Sequence, residues 1–393
     1  MKKKILFVLS NLNCGGAEKA LISIFQTIDY SRFEVDLYLF KHEGIFYSQI
    51  PNEVTVLHEV HHYNYFDMSI KSAIIQCLKE GSIKLAYARL RAGYIFHTEK
   101  NPAIREQKVW KYLSLAFPAL DKRYDAVIGF LEKNPVYFSI EKVNAAKKLG
   151  FIHNDYDKLE MDPNLDAPYF EQLDHLITVS DRCGEVLKQR FPQYKQKVSV
   201  IHNIVSPSMI HKMSKEKAEL IQNKGTTIVS IGRLNYQKGF ELAIEACATL
   251  VEEGYDVNWY VIGEGEERSK LEKLIELYKL SGNFHLIGMK ENPYPYIHEA
   301  DIYVQPSRFE GKSIAIDEAK ILNKPIIITD FSTAKDQIVH NQNGLIVQMN
   351  ATAIFEGIKQ LIEDEALRDY FVQQLSNEHF GTESEIEKLY ALI

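Results

Sequence analysis

The chain has 393 residues. At roughly 100–200 residues per domain this reads as two domains, long enough to bury a large core without disulfide or metal staples. Hydrophobic residues make up 46% and charged residues 25%, which excludes disordered, collagen-like and low-complexity chains. Net charge is −7, yet residues 1–150 carry 21 Lys and Arg against 15 Asp and Glu, while the remainder carries 25 against 38. The positive first part is the one suited to an anionic partner.

The amino end needs care, because Lys2-Lys3-Lys4 precedes an apolar run and imitates a secretion signal. Ile5–Leu9 supplies only five apolar residues, short of the roughly 7–15 such a signal requires. Asn13 before Cys14 does not suit a lipoprotein site. No run approaches the ~18–20 apolar residues that span a bilayer. Cys14, Cys77, Cys183 and Cys247 stand far apart, which argues against a disulfide framework and a cysteine zinc site. The expectation is a cytoplasmic protein, peripheral at most on the inner face of the cell membrane, with no metal and no nucleic-acid partner. His61-His62 has no partner at metal-ligand spacing and reads as a pair of exposed loop histidines.

Short apolar runs rich in β-branched residues then recur, each followed by a longer amphipathic stretch. The first part has Lys4–Ser10, Val35–Phe40, Val54–Val60, Asp125–Phe130, Leu149–His153, Leu176–Ser180 and Val198–His202. The second has Thr227–Gly232, Val257–Gly263, Phe284–Gly288, Ile302–Pro306, Pro325–Thr329 and Gly344–Val347. Continuous apolar runs of this length suit strands buried on both faces of a parallel sheet. Strands alternating with helices predict doubly wound α/β sheets. The rhythm breaks between 205 and 225, where a polar, lysine-bearing stretch precedes a fresh strand at Thr226. Two Rossmann-like domains follow, 1–205 and 206–382, with a last helix over 383–393 packing back on the first.

The rhythm also breaks at 69–112, which reads as helices. It carries nine Lys and Arg, against Glu80, Glu99 and Glu106, with Tyr87, Tyr94, Phe96, Trp110 and Tyr112 interleaved. Such a segment suits an anionic membrane surface or an anionic acceptor, or else an ordinary solvated helical face.

The chemistry gathers in the strand-to-helix loops. Asn11–Glu18, after the first strand, holds Gly15-Gly16-Ala17-Glu18, and a glycine pair there frees backbone N–H groups at a helix N-terminus. The pattern is not G-x-G-x-x-G, so no dinucleotide fingerprint is present. The second part opens with Gly232-Arg233 followed by Lys238-Gly239: two cations five apart at a strand's carboxyl end, where open α/β sheets bind ligands. Arg offers a fork to phosphate oxygens and Lys a point charge, so the natural ligand is a diphosphate. Gly263-Glu264-Gly265 permits a tight turn near a ligand, and Gly288-Met289 offers a strand end to a flat base. In Glu310-Gly311-Lys312-Ser313-Ile314, Gly311 turns the chain into a helix starting near Ser313, and Glu318 follows inside it. Free N–H groups near Lys312–Ile314 favour negative charge. Asp155-Tyr156-Asp157, a D-x-D string after a first-part strand, reads as surface acids rather than a metal pair.

The set Gly232-Arg233…Lys238-Gly239, Gly263-Glu264-Gly265 and Glu310-x7-Glu318 resembles the retaining nucleotide-sugar-dependent glycosyltransferases of family 4, over nearly the whole chain. Gly15-Gly16-Ala17-Glu18 and Phe151-Ile152-His153-Asn154-Asp155 resemble that family's first-domain loops. The resemblance implies the GT-B fold: two Rossmann-like domains facing a cleft and closing on the donor. It implies that Arg233 and Lys238 hold the donor diphosphate, Glu310 contacts the donor sugar, Glu318 holds the ribose and His153 lies near the reacting sugar. Gly232, Gly263, Gly265, Gly288, Met289, Gly311, Lys312, Ser313 and Ile314 complete the donor side. Gly15, Gly16, Glu18 and Asp155 face the acceptor. The expected activity is sugar transfer from a nucleotide-diphosphate donor, a UDP-sugar first, to a saccharide acceptor that is lipid-linked, in cell-surface polysaccharide synthesis and without a metal or cofactor. A nucleotide-sugar epimerase or hydrolase on the same fold, and a non-catalytic partner subunit, are the alternatives. Two departures from the family stand out: Lys312-Ser313 replaces an aromatic or small apolar pair, and Phe331–Gln337 replaces a glycine-rich, glutamate-bearing turn.

Overall fold

A computed structural model describes residues 2–13, 15–218, 225–378 and 380–393. Among these residues there are thirteen strands in two sheets. The strands of the first sheet are β1 (Lys3–Leu9), β2 (Phe33–Leu39), β3 (Val54–Val56), β4 (Arg123–Gly129), β5 (Asn144–Ile152), β6 (His175–Thr178) and β7 (Val198–Val200). Those of the second are β8 (Thr226–Ile231), β9 (Val257–Ile262), β10 (Phe284–Leu286), β11 (Ile302–Gln305), β12 (Ile326–Thr329) and β13 (Leu345–Val347). Each overlaps one of the thirteen apolar runs, with ends within two residues except that β3 stops four residues short of Val60 and β5 begins five residues before Leu149.

Every pairing between these strands is parallel. The first sheet runs β3-β2-β1-β4-β5-β6-β7 and the second β10-β9-β8-β11-β12-β13. In both, the first strand in sequence sits inside the sheet and the winding reverses beside it, between β1 and β4 and between β8 and β11. The loops leaving those strands diverge there and open a crevice at their carboxyl ends. This is why much of the chemistry read in the sequence collects after β1, β8 and β11.

Burial explains the strand composition. Ile5–Leu9 of β1 and all of β9, β11 and β12 are buried, so helices must cover both faces of each sheet. Buried polar groups are paired where the ladder does not reach them. Ser230 Oγ donates to the Val304 carbonyl at 2.6 Å and accepts from Trp259 Nε1 at 2.9 Å, a cross-strand link beneath the second crevice.

The chain divides into two compact units, one made of Met1–Asn13, Ile24–His202 and Ile386–Ile393, the other of Cys14–Ser23 and Asn203–Glu385. In the first, the last helix (Glu385–Leu392) is tied down by Tyr390, whose hydroxyl accepts from the Asp29 N–H at 2.7 Å and whose ring lies 4.7 Å from that of Phe33. The sequence boundary at 205/206 falls three residues from the observed one. The inclusion of Cys14–Ser23 in the second unit was not foreseen. Within the polar stretch that marks the boundary, Pro207–Met213 forms a helix, and 219–224 lie outside the described residues. Cys77, Cys183 and Cys247 are buried; Cys14 lies outside the described residues.

Candidate active site

In the second unit the site is built on the loops after β8 and β11. Gly232 leaves β8, and a Cβ added there would lie 2.9 Å from Lys238 Cδ. The lysine stem therefore lies across the bare glycine. Its ammonium ends 2.5 Å from Glu310 Oε1, and Ser307 Oγ donates to the same oxygen at 2.6 Å. A buried row feeds that serine: Tyr303 OH donates to Gln305 Oε1 at 2.6 Å, and Gln305 Nε2 donates to Ser307 Oγ at 2.9 Å. Glu310 is only 5% exposed, and its Oε1 is met by both a cation and a hydroxyl. Arg233, by contrast, is solvent-exposed.

The glycines of the neighbouring turn have a different reason from the one the sequence suggested. A Cβ at Gly263 (φ +155°) would lie 1.9 Å from the Gly232 carbonyl oxygen, and one at Gly265 would lie 2.3 Å from that of Leu234. They let the loops after β8 and β9 touch, fixing the Arg233 loop instead of lying bare beneath a ligand. The Gly288 carbonyl accepts from the Gly263 N–H at 3.0 Å, tying the loop after β10 to the same stack, while Met289 is exposed.

The helix Ile314–Ile321 starts where the sequence placed it, with Ser313 as N-cap. The expectation of free N–H groups across Lys312–Ile314 is corrected at Ser313. Its N–H donates to Gln337 Oε1 at 2.9 Å, and Gln337 Nε2 returns a bond to the Ser313 carbonyl at 2.8 Å. Thr333 Oγ1 donates to the Glu310 carbonyl at 2.9 Å. Thus Phe331–Gln337, the segment that departs from the family pattern, clamps the Glu310–Ser313 loop from outside. Lys312 lies 3.7 Å from Asp317. Removing the Thr333 hydroxyl by Thr333→Val strands a buried acceptor and should cost about 1–3 kcal/mol of stability, read as a lower urea midpoint at unchanged slope. An unshifted midpoint would show that the clamp does not hold the loop.

Glu318, 1% exposed, forms an ion pair with Lys19 and accepts from Tyr294 OH at 3.1 Å, both at Oε1. The Lys19 ammonium stands 4.5 Å from the Tyr294 ring centroid. Burial alone would lower Lys19, but Glu318 and Tyr294 beside it outweigh burial and hold it above the usual lysine range. Lys19 belongs to the Cys14–Ser23 piece of this unit. In the same piece, a Cβ at Gly15 would meet Glu18 Oε2 at 2.1 Å and Arg233 Nη2 at 3.1 Å. Gly15 thus makes room for an acid and a cation, while Gly16 is exposed.

In the first unit His153 ends β5 in a buried aromatic slot, its ring centroid 4.9 Å from Phe130 and 5.5 Å from Phe151. Its backbone N–H donates to Glu132 Oε2 at 3.1 Å, and Asn154 Nδ2 donates to Glu132 Oε1 at 3.3 Å. Glu132 is 5% exposed and was missed in the sequence; only its place just past β4, beside the winding reversal, could have singled it out. His153 Nε2 is buried with no hydrogen-bond partner, a polar atom held ready for a ligand. Burial pushes the imidazole down to about 4, against the opposing pull of a backbone hydrogen bond at Phe130. The ring is neutral near pH ~7.

That shift has a stability consequence. The folded value lies below the ordinary 6.5, so the unfolded chain binds more protons between the two. Stability present above pH 6.5 is lost as pH falls toward 4, by about 3 kcal/mol in total. Urea titrations across this range should show the wild type losing that much more than His153→Asn. Parallel profiles would contradict the assignment.

The surface reading of Asp155-Tyr156-Asp157 needs correction. Asp155 is 3% exposed and accepts from the Asp157 N–H at 3.1 Å, capping a short turn, whereas Asp157 pairs with Arg190 at 2.6 Å. Burial of Asp155 follows from Tyr156, whose ring is driven inside and whose hydroxyl, with that of Tyr137, donates to the fully buried Asp166. His61 and His62 are exposed. Among the described residues no group of three or more His, Cys, Asp or Glu could hold a metal.

Two doubly wound parallel sheets, the second with a buried cation–carboxylate pair at its winding reversal, define an α/β protein of two Rossmann-like units. Residues 212–377 match the family described as Glycosyl transferases group 1. The chain is 25% identical over 370 residues to the N-acetylgalactosamine-N,N'-diacetylbacillosaminyl-diphospho-undecaprenol 4-alpha-N-acetylgalactosaminyltransferase of Campylobacter jejuni, covering 94% of this chain and 92% of that one. It is 27% identical over 175 residues to an uncharacterized glycosyltransferase of Methanocaldococcus jannaschii, covering 44% of this chain and 43% of that one. Among solved structures, Anabaena HepE in complex with UDP and glucose superposes with a TM-score of 0.71 at 15% identity, over 99% of this chain and 98% of that one, which shows the fold. The chain is a glycosyltransferase with the GT-B fold.

Proposed function

We propose that the chain is a retaining glycosyltransferase of the family 4 type that moves a sugar from a UDP-sugar to a lipid-linked saccharide in cell-surface polysaccharide synthesis. The observation that carries the donor reading is the buried Lys238–Glu310 pair at the crevice of the second sheet, with Arg233 exposed on the same loop as Lys238. Arg233 and Lys238 take the diphosphate, and Gly311, Lys312 and Ile314 supply backbone and charge beside it. Glu318 takes the ribose through Oε2, since its two contacts fall on Oε1. Gly288 and Met289 border the base. Gly15, Gly16 and Glu18 border the reacting end. The Campylobacter relative, whose name gives a diphospho-undecaprenol acceptor, supports the lipid-linked acceptor.

In the reaction the bond from the sugar C1 to the diphosphate oxygen breaks, and a bond from C1 to the acceptor oxygen forms on the same face. The acceptor proton passes to the departing phosphate oxygen, so no protein nucleophile is required. Charge grows on the diphosphate and positive character on the sugar ring. Cations fixed in advance meet the first, and Glu310 meets the second. Neutral His153 offers Nε2 to a sugar hydroxyl without adding charge. No metal enters this scheme.

The test is UDP release from UDP-sugars with and without saccharide acceptors, with the product's anomeric configuration read by NMR. Acceptor-dependent release with the donor's configuration kept is expected. Donor consumption without acceptor would favour the epimerase or hydrolase instead, and an inverted product would overturn retention.

A further inference from the structure

Glu318 and Lys19 each stand at the unfavourable end of their own helix. Glu318 lies in the final turn of Ile314–Ile321, where carbonyl ends repel a carboxylate. Lys19 lies in the first turn of Gly16–Thr27, where N–H ends repel a cation. Both side chains are also largely out of water, 20% exposed for Lys19 and 2% for Glu318. A buried ion pair is weak evidence for stability, because apolar side chains of the same volume often serve a fold as well or better. The pair therefore has a reason beyond folding.

Its contacts meet on a single oxygen. The Lys19 ammonium pairs with Glu318 Oε1, and Tyr294 OH donates to the same atom at 3.1 Å. The ammonium also stands 4.5 Å from the Tyr294 ring centroid, so cation and phenol brace each other as well as the acid. The terminal torsion of a glutamate is otherwise broad; here, turning it would give up a charge-assisted contact and a hydroxyl together. Glu318 also stands beside Glu310. The Tyr303 hydroxyl of β11 is pushed up by burial first, then by Glu318 and Glu310, so one ring lies near both acids. Tyr294 comes from the chain just past Gly288-Met289. Three separate pieces thus converge on the one carboxylate that lies beside the donor loop.

We infer that Lys19 and Tyr294 are positioning residues for the nucleotide's ribose: by holding Glu318 at Oε1 they aim Oε2 at the ribose hydroxyls, and so set the preference for a ribonucleotide over a deoxyribonucleotide. The inference rests on the reading that Glu318 takes the ribose. A free glutamate would lose rotamer freedom on binding, whereas one fixed in advance has already lost it in folding. A fixed acceptor also discriminates more sharply, since an analogue lacking the hydroxyl leaves it without a partner. Lys19 acts through Glu318 and makes no contact with the nucleotide in this assignment. Without Lys19 the buried carboxylate turns away or takes up a proton, and in either case Oε2 no longer selects for a hydroxyl.

The test is titration calorimetry of the full chain with UDP, 2′-deoxy-UDP and 3′-deoxy-UDP. The readout is the ratio of the weaker deoxy Kd to the Kd of UDP. The wild type should give about tenfold or more, the worth of a hydrogen bond to a charged acceptor. Lys19→Met should bring the ratio below about threefold, and Lys19→Arg, which keeps the charge, should restore part of it. Tyr294→Phe keeps the ring and removes one donor, and should lower the ratio about threefold. In a Glu318→Gln background Lys19→Met should change the ratio no further, because it acts through that carboxylate. A ratio in Lys19→Met equal to the wild type's overturns the inference, even if UDP itself binds more weakly, since a merely structural lysine would weaken all three ligands alike. If Lys19→Met does not fold, a wild-type ratio in Tyr294→Phe overturns it instead. A wild type that binds UDP with no preference over either deoxy form removes the Glu318–ribose reading, and this inference with it. A wild-type preference that survives Lys19→Met removes the inference alone.

Discussion

Lys238→Ala is expected to lower kcat/KM by about 100–1,000-fold, the largest single effect in the chain. Two losses add. A preorganised charge facing the leaving diphosphate is worth roughly 2.7–4 kcal/mol in the transition state. Lys238 also neutralises Glu310 at 2.5 Å in a site where that carboxylate is 5% exposed, and an unpaired buried carboxylate reorganises or takes up a proton. Lys238→Arg keeps the charge, but its planar head does not sit where the lysine stem crosses bare Gly232, so it should restore only part of the rate. The check is steady-state UDP release, with melting temperature in parallel. Full turnover in Lys238→Ala would remove the diphosphate assignment.

Glu310→Gln is expected to lower kcat by about 100-fold with little change in KM. The amide keeps the size of the acid and can still accept from Ser307, whose hydroxyl lies 2.6 Å from Oε1. What it lacks is the negative charge, which is felt most when the sugar ring turns positive. An interaction made only in the transition state shows as equal losses in kcat and kcat/KM. If Glu310 merely anchors Lys238, the glutamine variant should instead raise KM for the donor and leave kcat within about threefold. The two roles separate in one set of saturation curves.

The sheets were legible because burial on both faces writes itself as continuous apolar runs, and a parallel sheet repeats that signature strand after strand. The loop after β11 was legible for a related reason. Gly311 must end the strand's approach, and Ile314 must start the helix. The contacts that hold this loop were not legible. Thr333 and Gln337 lie more than twenty residues from Glu310 and Ser313 in sequence, and nothing in a threonine or a glutamine announces a distant partner. The same applies to Lys19, which reads as an ordinary helix-surface lysine until the fold brings it against Glu318. Glycine was over-read in the opposite sense. Gly263 and Gly265 suggested a ligand, whereas the atoms they make room for are carbonyls of the adjacent loop. Asp155 was misjudged because an acid beside an acid suggests a surface, and the burial of Tyr156 outweighs that.

The claim on which the rest depends is that the loop after β8 grips a nucleoside diphosphate. Titration calorimetry of UDP and of uridine against the wild type and Arg233→Ala/Lys238→Ala tests it most directly. The wild type should bind UDP far more tightly than uridine, and the double variant should bind UDP at least about 100-fold more weakly while its uridine affinity is unchanged. Equal affinity of both proteins for UDP would contradict the claim.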